Sequence, residues 1–168
     1  MRRSLNALGW SLLGGLLAGT LDILYAIGFW SAYDVPARRI LQSVAAGLLG
    51  RDAFAGGART AALGLLLHYV IAACMALTYG WAARDARPLR DRPWRFGALY
   101  GLALYVLMNF VVVPLSVSPR GASLPMAWMA WSVLAHIVLV GWPCAWFARR
   151  GWDGHWSSRR HGLIPAAS

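Results

Sequence analysis

Lysine and glutamate are absent from this sequence, and charged residues of any kind are few. All 16 basic residues are Arg and all 6 acidic residues are Asp, so that only 13% of the 168 residues are charged. A soluble globular domain usually carries about 25% charged residues. Apolar residues make up 59% of the chain. This balance excludes an ordinary soluble domain and is typical of an integral membrane protein.

Cysteine is also scarce, and its placement argues against two kinds of site. Cys74 and Cys144 each lie inside an apolar run, without a CxxC partner or nearby ligand residues. A disulfide framework or a zinc site needs such partners, so we expect no metal site and two cysteines that act as small apolar residues. The sequence also has no G-x-S-x-G, HExxH or phosphate loop. We therefore predict that the protein is not an enzyme.

The apolar residues fall into four runs, each long enough to cross a hydrocarbon core of about 30 Å. We predict an all-α integral membrane bundle of four transmembrane helices, at about residues 8–30, 60–83, 96–116 and 125–147. Residues 1–168 then form a single transmembrane domain, in which 148–168 are a loosely ordered cytoplasmic tail. The first run is too long for the apolar part of a cleaved signal peptide, which spans roughly 7–15 residues.

The connection between the first two spans shows helical periodicity after Pro36. Its apolar positions are Ile40, Leu41, Val44, Ala45, Leu48 and Leu49, and the opposite face carries Arg38, Arg39, Gln42 and Ser43. This pattern predicts an interfacial amphipathic helix that lies on the membrane surface. A short connector helix that packs on the transmembrane helices has the same pattern, and both interpretations stay open.

Arginine placement predicts the orientation. The N-terminus, the 84–95 loop and the C-terminal tail hold 11 arginines, whereas the 34–60 and 117–124 connections hold 5. Arg and Lys concentrate in cytoplasmic loops, so we place both termini in the cytoplasm. The net charge of +10 then indicates contact with the bilayer and its anionic headgroups. The arginines form no continuous stripe on a soluble fold, so we expect no nucleic-acid partner.

Asp22 is the one acidic residue inside a predicted span. A carboxylate at the centre of a transmembrane helix costs about 2.5–3.5 kcal/mol on insertion scales, so it should face protein or water. Gly15, Gly19, Asp22 and Ala26 share one helix face, and small residues there let another helix approach closely. Asp22 is therefore expected to point into the bundle, either as a proton or cation site or as a hydrogen-bonded residue that holds helices together.

Four more polar side chains lie inside the apolar runs: His68, Asn109, Ser132 and His136. At 1.5 Å per residue, Asp22, His68 and Asn109 lie about 12 Å from the outer surface and His136 about 17 Å. We predict a polar cluster in the outer half of the bundle, in which Asp22 and His68 could pair. Each histidine could instead be a packing residue with one hydrogen bond, and Asn109 an interhelical hydrogen-bond donor.

Two glycine pairs are expected to pack helices. Gly15 and Gly19 open the first span, and Gly97 and Gly101 open the third at the same GxxxG spacing. Asn109 lies roughly 80–120° around the helix from the second pair. The spacing is compatible with an internal two-span repeat and equally with chance similarity between membrane helices.

Three functions remain open from these residues. The first is proton-linked or small-ion transport, or a pH-responsive role, that uses the Asp22 cluster. Because four helices are few for alternating access, a homo-oligomer or a partner membrane protein is expected. The second is a non-catalytic assembly or lipid-interaction subunit. The third is a b-type haem electron carrier with His68 and His136 as axial ligands, since helical bundles hold haem between facing helices; otherwise we expect no cofactor.

Three segments carry a resemblance to a known group of proteins: RILQSVAAGLLGRDAFAGG, ALGLLLHYVIA and YGLALYVLMNFVVVPLS. They resemble a family of short bacterial four-span inner-membrane proteins of uncharacterised function, over roughly residues 8–148, and are distantly similar to the YagU-type inner-membrane proteins. The resemblance implies the same topology and a location in the bacterial inner membrane; a part in acid resistance has been suggested for the YagU-type proteins, but the resemblance supplies no activity for this chain. It supplies no catalytic or binding residue.

Overall fold

The structure, a computed structural model, describes residues 2–117 and 125–153, and within these ranges it contains helices and no strand. The predicted all-α class is thereby confirmed. Helix α1 is Arg2–Ser31, α2 is Ala37–Leu49, and a 3-10 turn at Gly50–Phe54 leads to α3 at Gly57–Asp85. The short α4 is Arg87–Asp91.

The last two helices each contain a π-helical segment. Helix α5 is α-helical over Pro93–Leu107, π-helical over Met108–Val112, and ends with the turn Val113–Leu115. Helix α6 is α-helical over Met126–Ala135, π-helical over His136–Gly141, and α-helical again over Trp142–Asp153.

Four of these helices are long and apolar enough to cross a membrane, as predicted: Ser4–Ser31, Gly57–Asp85, Pro93–Leu115 and Met126–Asp153. The fourth extends beyond its predicted end, so that the first residues of the expected tail, 148–153, are helical and Ala148 is buried. The rest of the predicted tail, 154–168, and most of the connection with Arg120 lie outside the described residues.

Large apolar side chains face outward and small ones fill the interior. Leu24, Leu66, Leu99 and Trp131, one from each spanning helix, are more than half exposed. Fully buried positions are instead mostly alanines, among them Ala18, Ala76, Ala83 and Ala145. Soluble proteins do not expose apolar surface of this extent, and membrane helices pack through small residues. The arrangement is consistent with helices that are long and apolar enough to cross a membrane.

The four predicted packing glycines lie where helices meet. Helix α1 contacts α3 and the end of α6, and α5 contacts α6 along its π segment and beyond. A Cβ atom added at Gly19 would lie 3.0 Å from the Cβ of Ala72, and one added at Gly15 would lie 3.0 Å from the Ala72 carbonyl oxygen. A Cβ at Gly97 would lie 2.9 Å from the carbonyl oxygen of Gly141. At Gly101 it would meet the backbone of His136 and Ile137.

Helix α2 packs along α3 and not in the expected orientation. Gln42, expected on the polar face, is buried, and its Nε2 donates to the Gly57 carbonyl (3.0 Å) and to the Thr60 hydroxyl (3.2 Å). Leu48, expected on the packed face, is 61% exposed. The buried amide satisfies carbonyl and hydroxyl oxygens that lipid could not. The interfacial position of α2 stays a prediction, and its contact with α3 fits the connector interpretation.

Candidate functional site

A cavity of about 210 Å³ lies between the spanning helices, with walls from α1, α2, α3, α5 and α6. The five polar residues predicted to cluster all line it: Asp22, His68, Asn109, Ser132 and His136. The other walls are apolar, from Ala18, Gly19, Val44, Ile71, Ala72, Met75, Met108, Trp128 and Val140. A cavity of this size and polarity has room for several water molecules or one small solute.

Asp22 contributes a carboxylate that has no partner among the described residues. It is half-buried, and within residues 2–117 and 125–153 it takes part in no hydrogen bond or ion pair. Every fully buried side-chain nitrogen or oxygen in these ranges does have a hydrogen-bond partner. The Asp22 oxygens are therefore not fully buried, and Asp22 is one of the residues that line the cavity.

His68 lies in the same cavity but does not pair with Asp22. Its Nε2–H donates to the carbonyl oxygen of Gly19 at 2.8 Å, one turn of α1 before Asp22. Because Gly19 has no side chain, its carbonyl is open to a neighbouring helix. Since the carbonyl only accepts, Nε2 carries a proton in this bond, and Nδ1 is the ring nitrogen that this bond leaves free. The predicted pair is thus replaced by a histidine–backbone bond.

His136 has the mirrored arrangement on α6. Its Nδ1–H donates to the Ser132 carbonyl at 2.9 Å, and its ring meets Tyr105 edge-on at 5.6 Å. Nε2 is then the ring nitrogen that this bond leaves free. His136 opens the π-helical segment of α6, a type of segment that is frequent at functional sites. The cavity is therefore lined by one carboxylate and two imidazoles, and each imidazole has one ring nitrogen that is not bonded to a backbone carbonyl.

Asn109 and Ser132 both line the cavity, but Asn109 bonds within its own helix whereas Ser132 meets a residue of another helix. The Nδ2 of Asn109 donates to the Tyr105 carbonyl of its own helix at 2.9 Å, and not to another helix as one interpretation expected. The glycines of α5 pack directly on α6 and do not line the cavity, which lies beside this helix contact. Asn109 lies on a different part of the α5 surface and therefore lines the cavity. Ser132 is buried, and its hydroxyl lies 3.4 Å from the Tyr25 hydroxyl on α1.

A cluster of aromatic rings adjoins the cavity where α1 ends and α6 begins. Its members are Tyr25, Phe29, Trp30, Tyr33 and Trp128. Trp128 also lines the cavity and stacks on Tyr25, with ring centroids 5.5 Å apart and planes 14° apart. These rings were not predicted as site residues. The signal that could have identified Tyr25 is its spacing, because it follows Asp22 by three residues and so lies on the same helix face.

Met75 and Met108 also line the cavity, and neither was predicted as a site residue. Met75 lies seven residues after His68, on the same face of α3. That spacing is the signal that identifies it. Met108 directly precedes Asn109 at the start of the π segment of α5, and its sequence pattern offers no such signal.

The residues that line the cavity do not fit a haem. A volume of about 210 Å³ is below the roughly 300–1,000 Å³ of pockets that hold drug-sized ligands, and a haem is larger than most of these. The Nε2 of His68 is also bonded to the Gly19 carbonyl and would have to leave it to bind iron. No group of three or more His, Cys, Asp or Glu side chains in the described part of the chain could hold a metal ion.

Comparison with known proteins adds no assignment: no protein-family model, no curated protein and no solved structure matches the chain. The resemblance to short bacterial inner-membrane proteins and to the YagU type therefore stays a prediction.

Proposed function

We propose that the protein is a small membrane transporter, or a pH-responsive membrane protein, that binds a proton or a cation at Asp22. The observation that carries this proposal is the carboxylate without a partner inside a cavity between membrane-spanning helices. An ionisable side chain at this depth is expensive and usually faces a substrate path or a proton relay. A residue that only held helices together would use its oxygens on a neighbouring helix, and Asp22 does not do so within the described residues.

The two histidines support a role for protons. His68 on α3 and His136 on α6 both line the cavity, and each keeps one ring nitrogen that is not bonded to a backbone carbonyl. Histidine is the side chain whose charge changes most readily near neutral pH. Three titratable groups that share one cavity with room for water form a route along which a proton can move.

The proposed location is the bacterial inner membrane, with both termini in the cytoplasm. Four spans place the two termini on the same side, and the 11 to 5 distribution of arginines favours the cytoplasmic side for them. Reporter fusions test this orientation. A C-terminal alkaline phosphatase should be inactive and a C-terminal fluorescent protein bright, and the reverse pattern would invert the topology.

We propose a homo-oligomer as the working unit. Four helices provide little surface for two alternating gates, and the apolar surface of the spanning helices leaves room for contacts between copies. Chemical cross-linking in membranes followed by mass determination in detergent tests this proposal. A strictly monomeric protein that still transports would refute it.

Proton flux in proteoliposomes tests the function directly. Liposomes that contain the purified protein and an internal pH dye receive an external pH step, and internal pH is recorded. The wild-type protein should speed equilibration, and Asp22→Asn should abolish this effect, since the carboxamide neither binds a proton nor carries charge.

Asp34→Asn is the matched control. Asp34 lies in the exposed turn after α1 at φ 58°, a conformation that Asn also adopts readily. This variant should keep wild-type flux. The proposal is wrong if Asp22→Asn equilibrates as fast as the wild type while both proteins are correctly folded and inserted.

A second candidate function, that of an assembly or lipid-interaction subunit, is favoured by a basic surface cavity of about 390 Å³ at the start of α5. Arg92, Arg95 and Arg149 line it together with Trp94 and Asp91. Arginine is the side chain best suited to phosphate, and tryptophan favours the headgroup region. Phosphatidylglycerol should co-purify with the wild type and be lost from Arg92→Gln/Arg95→Gln. Arg38→Gln/Arg39→Gln on α2 is the control, and equal lipid loss from both double variants would contradict a specific site.

A further inference from the structure

The cavity at Asp22 combines one carboxylate with walls that are mostly apolar. Among the described residues that line it, Asp22 carries the only carboxylate. The thioethers of Met75 and Met108 and the indole of Trp128 form part of the wall, and aliphatic side chains form about half of the rest. Aromatic rings attract cations to their faces, and thioethers are polarisable and adapt to irregular shapes. These surfaces suit a cation that carries carbon groups.

A bare metal cation finds few ligands in the same space. An ion such as Ca²⁺ takes about six to eight oxygen ligands. The carbonyls of Gly19 and Ser132 already accept hydrogen bonds from the two histidines, and the Ser132 hydroxyl meets Tyr25. An organic cation needs no such shell, because one carboxylate balances its charge and the apolar wall contacts its carbon atoms.

We propose that the cavity binds a small organic monocation, a quaternary or protonated amine, with its charged nitrogen against the Asp22 carboxylate. Its carbon groups then contact Met75, Met108 and the part of the Trp128 indole that lines the cavity. The volume of about 210 Å³ limits the ligand to a size below that of drug-like molecules. This inference rests on the proposed function and names the class of substrate for it.

Proton and ammonium compete in this arrangement. The Asp22 carboxylate balances one positive charge, so a bound proton removes the charge that holds the ammonium. The other titratable side chains that line the cavity are His68 on α3 and His136 on α6. Tyr69 packs on His68, Tyr105 packs on His136, and Tyr25 meets Ser132. Protonation of either imidazole adds positive charge and repels a cation. All of these changes weaken ammonium binding as the pH falls, which is the coupling that an exchanger needs.

Equilibrium binding of choline to the detergent-purified full-length protein tests the inference. Choline is the quaternary ammonium probe, and its uncharged isostere, in which a carbon atom replaces the nitrogen, is the matched ligand control. Titration calorimetry at pH 8 should show one saturable site for choline and none for the isostere. Affinity should fall about 30-fold or more in Asp22→Asn, since removal of one partner from a buried charge pair has effects of this size. It should be kept in Asp34→Asn.

A second pair of variants tests choline binding in the cavity if Asp22→Asn does not fold. Trp128→Leu should weaken choline binding by about 2- to 30-fold through loss of the attraction between the indole and the cation. Trp131→Leu changes the same residue type on the same helix at a position that is 57% exposed, and it should bind choline as the wild type does.

The outcomes separate the two proposals. Equal choline affinity in Asp22→Asn and the wild type, equal effects of the two tryptophan variants, or binding of the isostere would overturn the inference. An absence of choline binding together with Asp22-dependent proton flux would also overturn it and leave the proposed function standing. If neither binding nor flux depends on Asp22, both proposals are wrong.

Discussion

The contact between α5 and α6 gives the sharpest prediction for stability. Gly101→Ala places a methyl group against backbone atoms, 2.7 Å from the Cα of Ile137 and 2.8 Å from the carbonyl carbon of His136, and still closer to the His136 oxygen. Carbon atoms pack best at about 3.5–4.0 Å, so the two helices must move apart by about 1 Å along this contact. A gap of 0.5–1 Å already removes roughly a quarter to a half of each pairwise attraction.

The magnitude follows from two opposing effects. Overpacking of a well-packed contact costs about 1–3 kcal/mol, and contact with backbone rather than flexible side-chain atoms puts this change near the upper end. Alanine gains about 1 kcal/mol over glycine in helix propensity. We therefore expect Gly101→Ala to lower the free energy of unfolding by about 2 kcal/mol. Because His136 lines the cavity, the same variant should also impair any activity that depends on it.

Two other glycines calibrate the measurement. At Gly28 an added Cβ meets nothing within 4 Å, so Gly28→Ala keeps only the propensity gain and should be neutral or slightly stabilising. At Gly15 the atoms nearest to an added Cβ lie at 3.0–3.1 Å. Gly15→Ala should therefore change the free energy of unfolding by an amount between those of Gly28→Ala and Gly101→Ala. Unfolding by sodium dodecyl sulfate in mixed micelles, followed by circular dichroism, measures all three. Equal stability of Gly101→Ala and Gly28→Ala would refute the close approach of α5 and α6.

Gln42→Ala is expected to lower stability by about 1–3 kcal/mol in the same assay, because the Gly57 carbonyl and the Thr60 hydroxyl lose a buried donor. Ser43→Ala is its control, since that exposed hydroxyl bonds only within its own helix, and equal effects would mean that Gln42 does not hold α2. A dithionite-reduced minus oxidised spectrum of the purified protein should lack b-type haem bands, because the cavity is too small. Such bands, lost in both His68→Ala and His136→Ala, would restore the electron-carrier alternative.

The number of spanning helices was predictable because membrane helices have a simple requirement of length and apolarity. Their ends were not, since contacts far apart in the chain decide them. The segment after Phe147 contains Arg149 and Arg150 and was assigned to a loose tail. It stays helical because Ala148 is buried and because the Trp152 indole N–H donates to the Gly80 carbonyl at 2.9 Å. A pattern of charge along one segment contains no information about such a partner.

The members of the cavity were predictable, but their hydrogen bonds were not. Depth along each span placed Asp22, His68 and Asn109 in one layer, and all three line the cavity. The choice of partner depends on which backbone oxygens are uncovered. His68 bonds the carbonyl of Gly19, where no side chain shields it, and leaves Asp22 alone. Gln42 is buried for the same reason, since the Gly57 carbonyl is open to it. Periodicity alone places a polar side chain such as Gln42 on the outside. It contains no information about which backbone carbonyl His68 or Gln42 will bond.

The two π segments explain how one cavity forms beside tightly packed helices. Each ends two residues before a proline: Met108–Val112 before Pro114, and His136–Gly141 before Pro143. A proline has no N–H for the carbonyl four residues earlier and clashes with it, so the helix cannot keep its regular bonding there and widens by one residue. Membrane helices tolerate this because neighbouring groups satisfy the released backbone. Both widened turns line the cavity, through Met108 and Asn109 on one side and His136 on the other. The prolines are thus the sequence signal for the position of the cavity, whereas Asp22 is the signal for its chemistry.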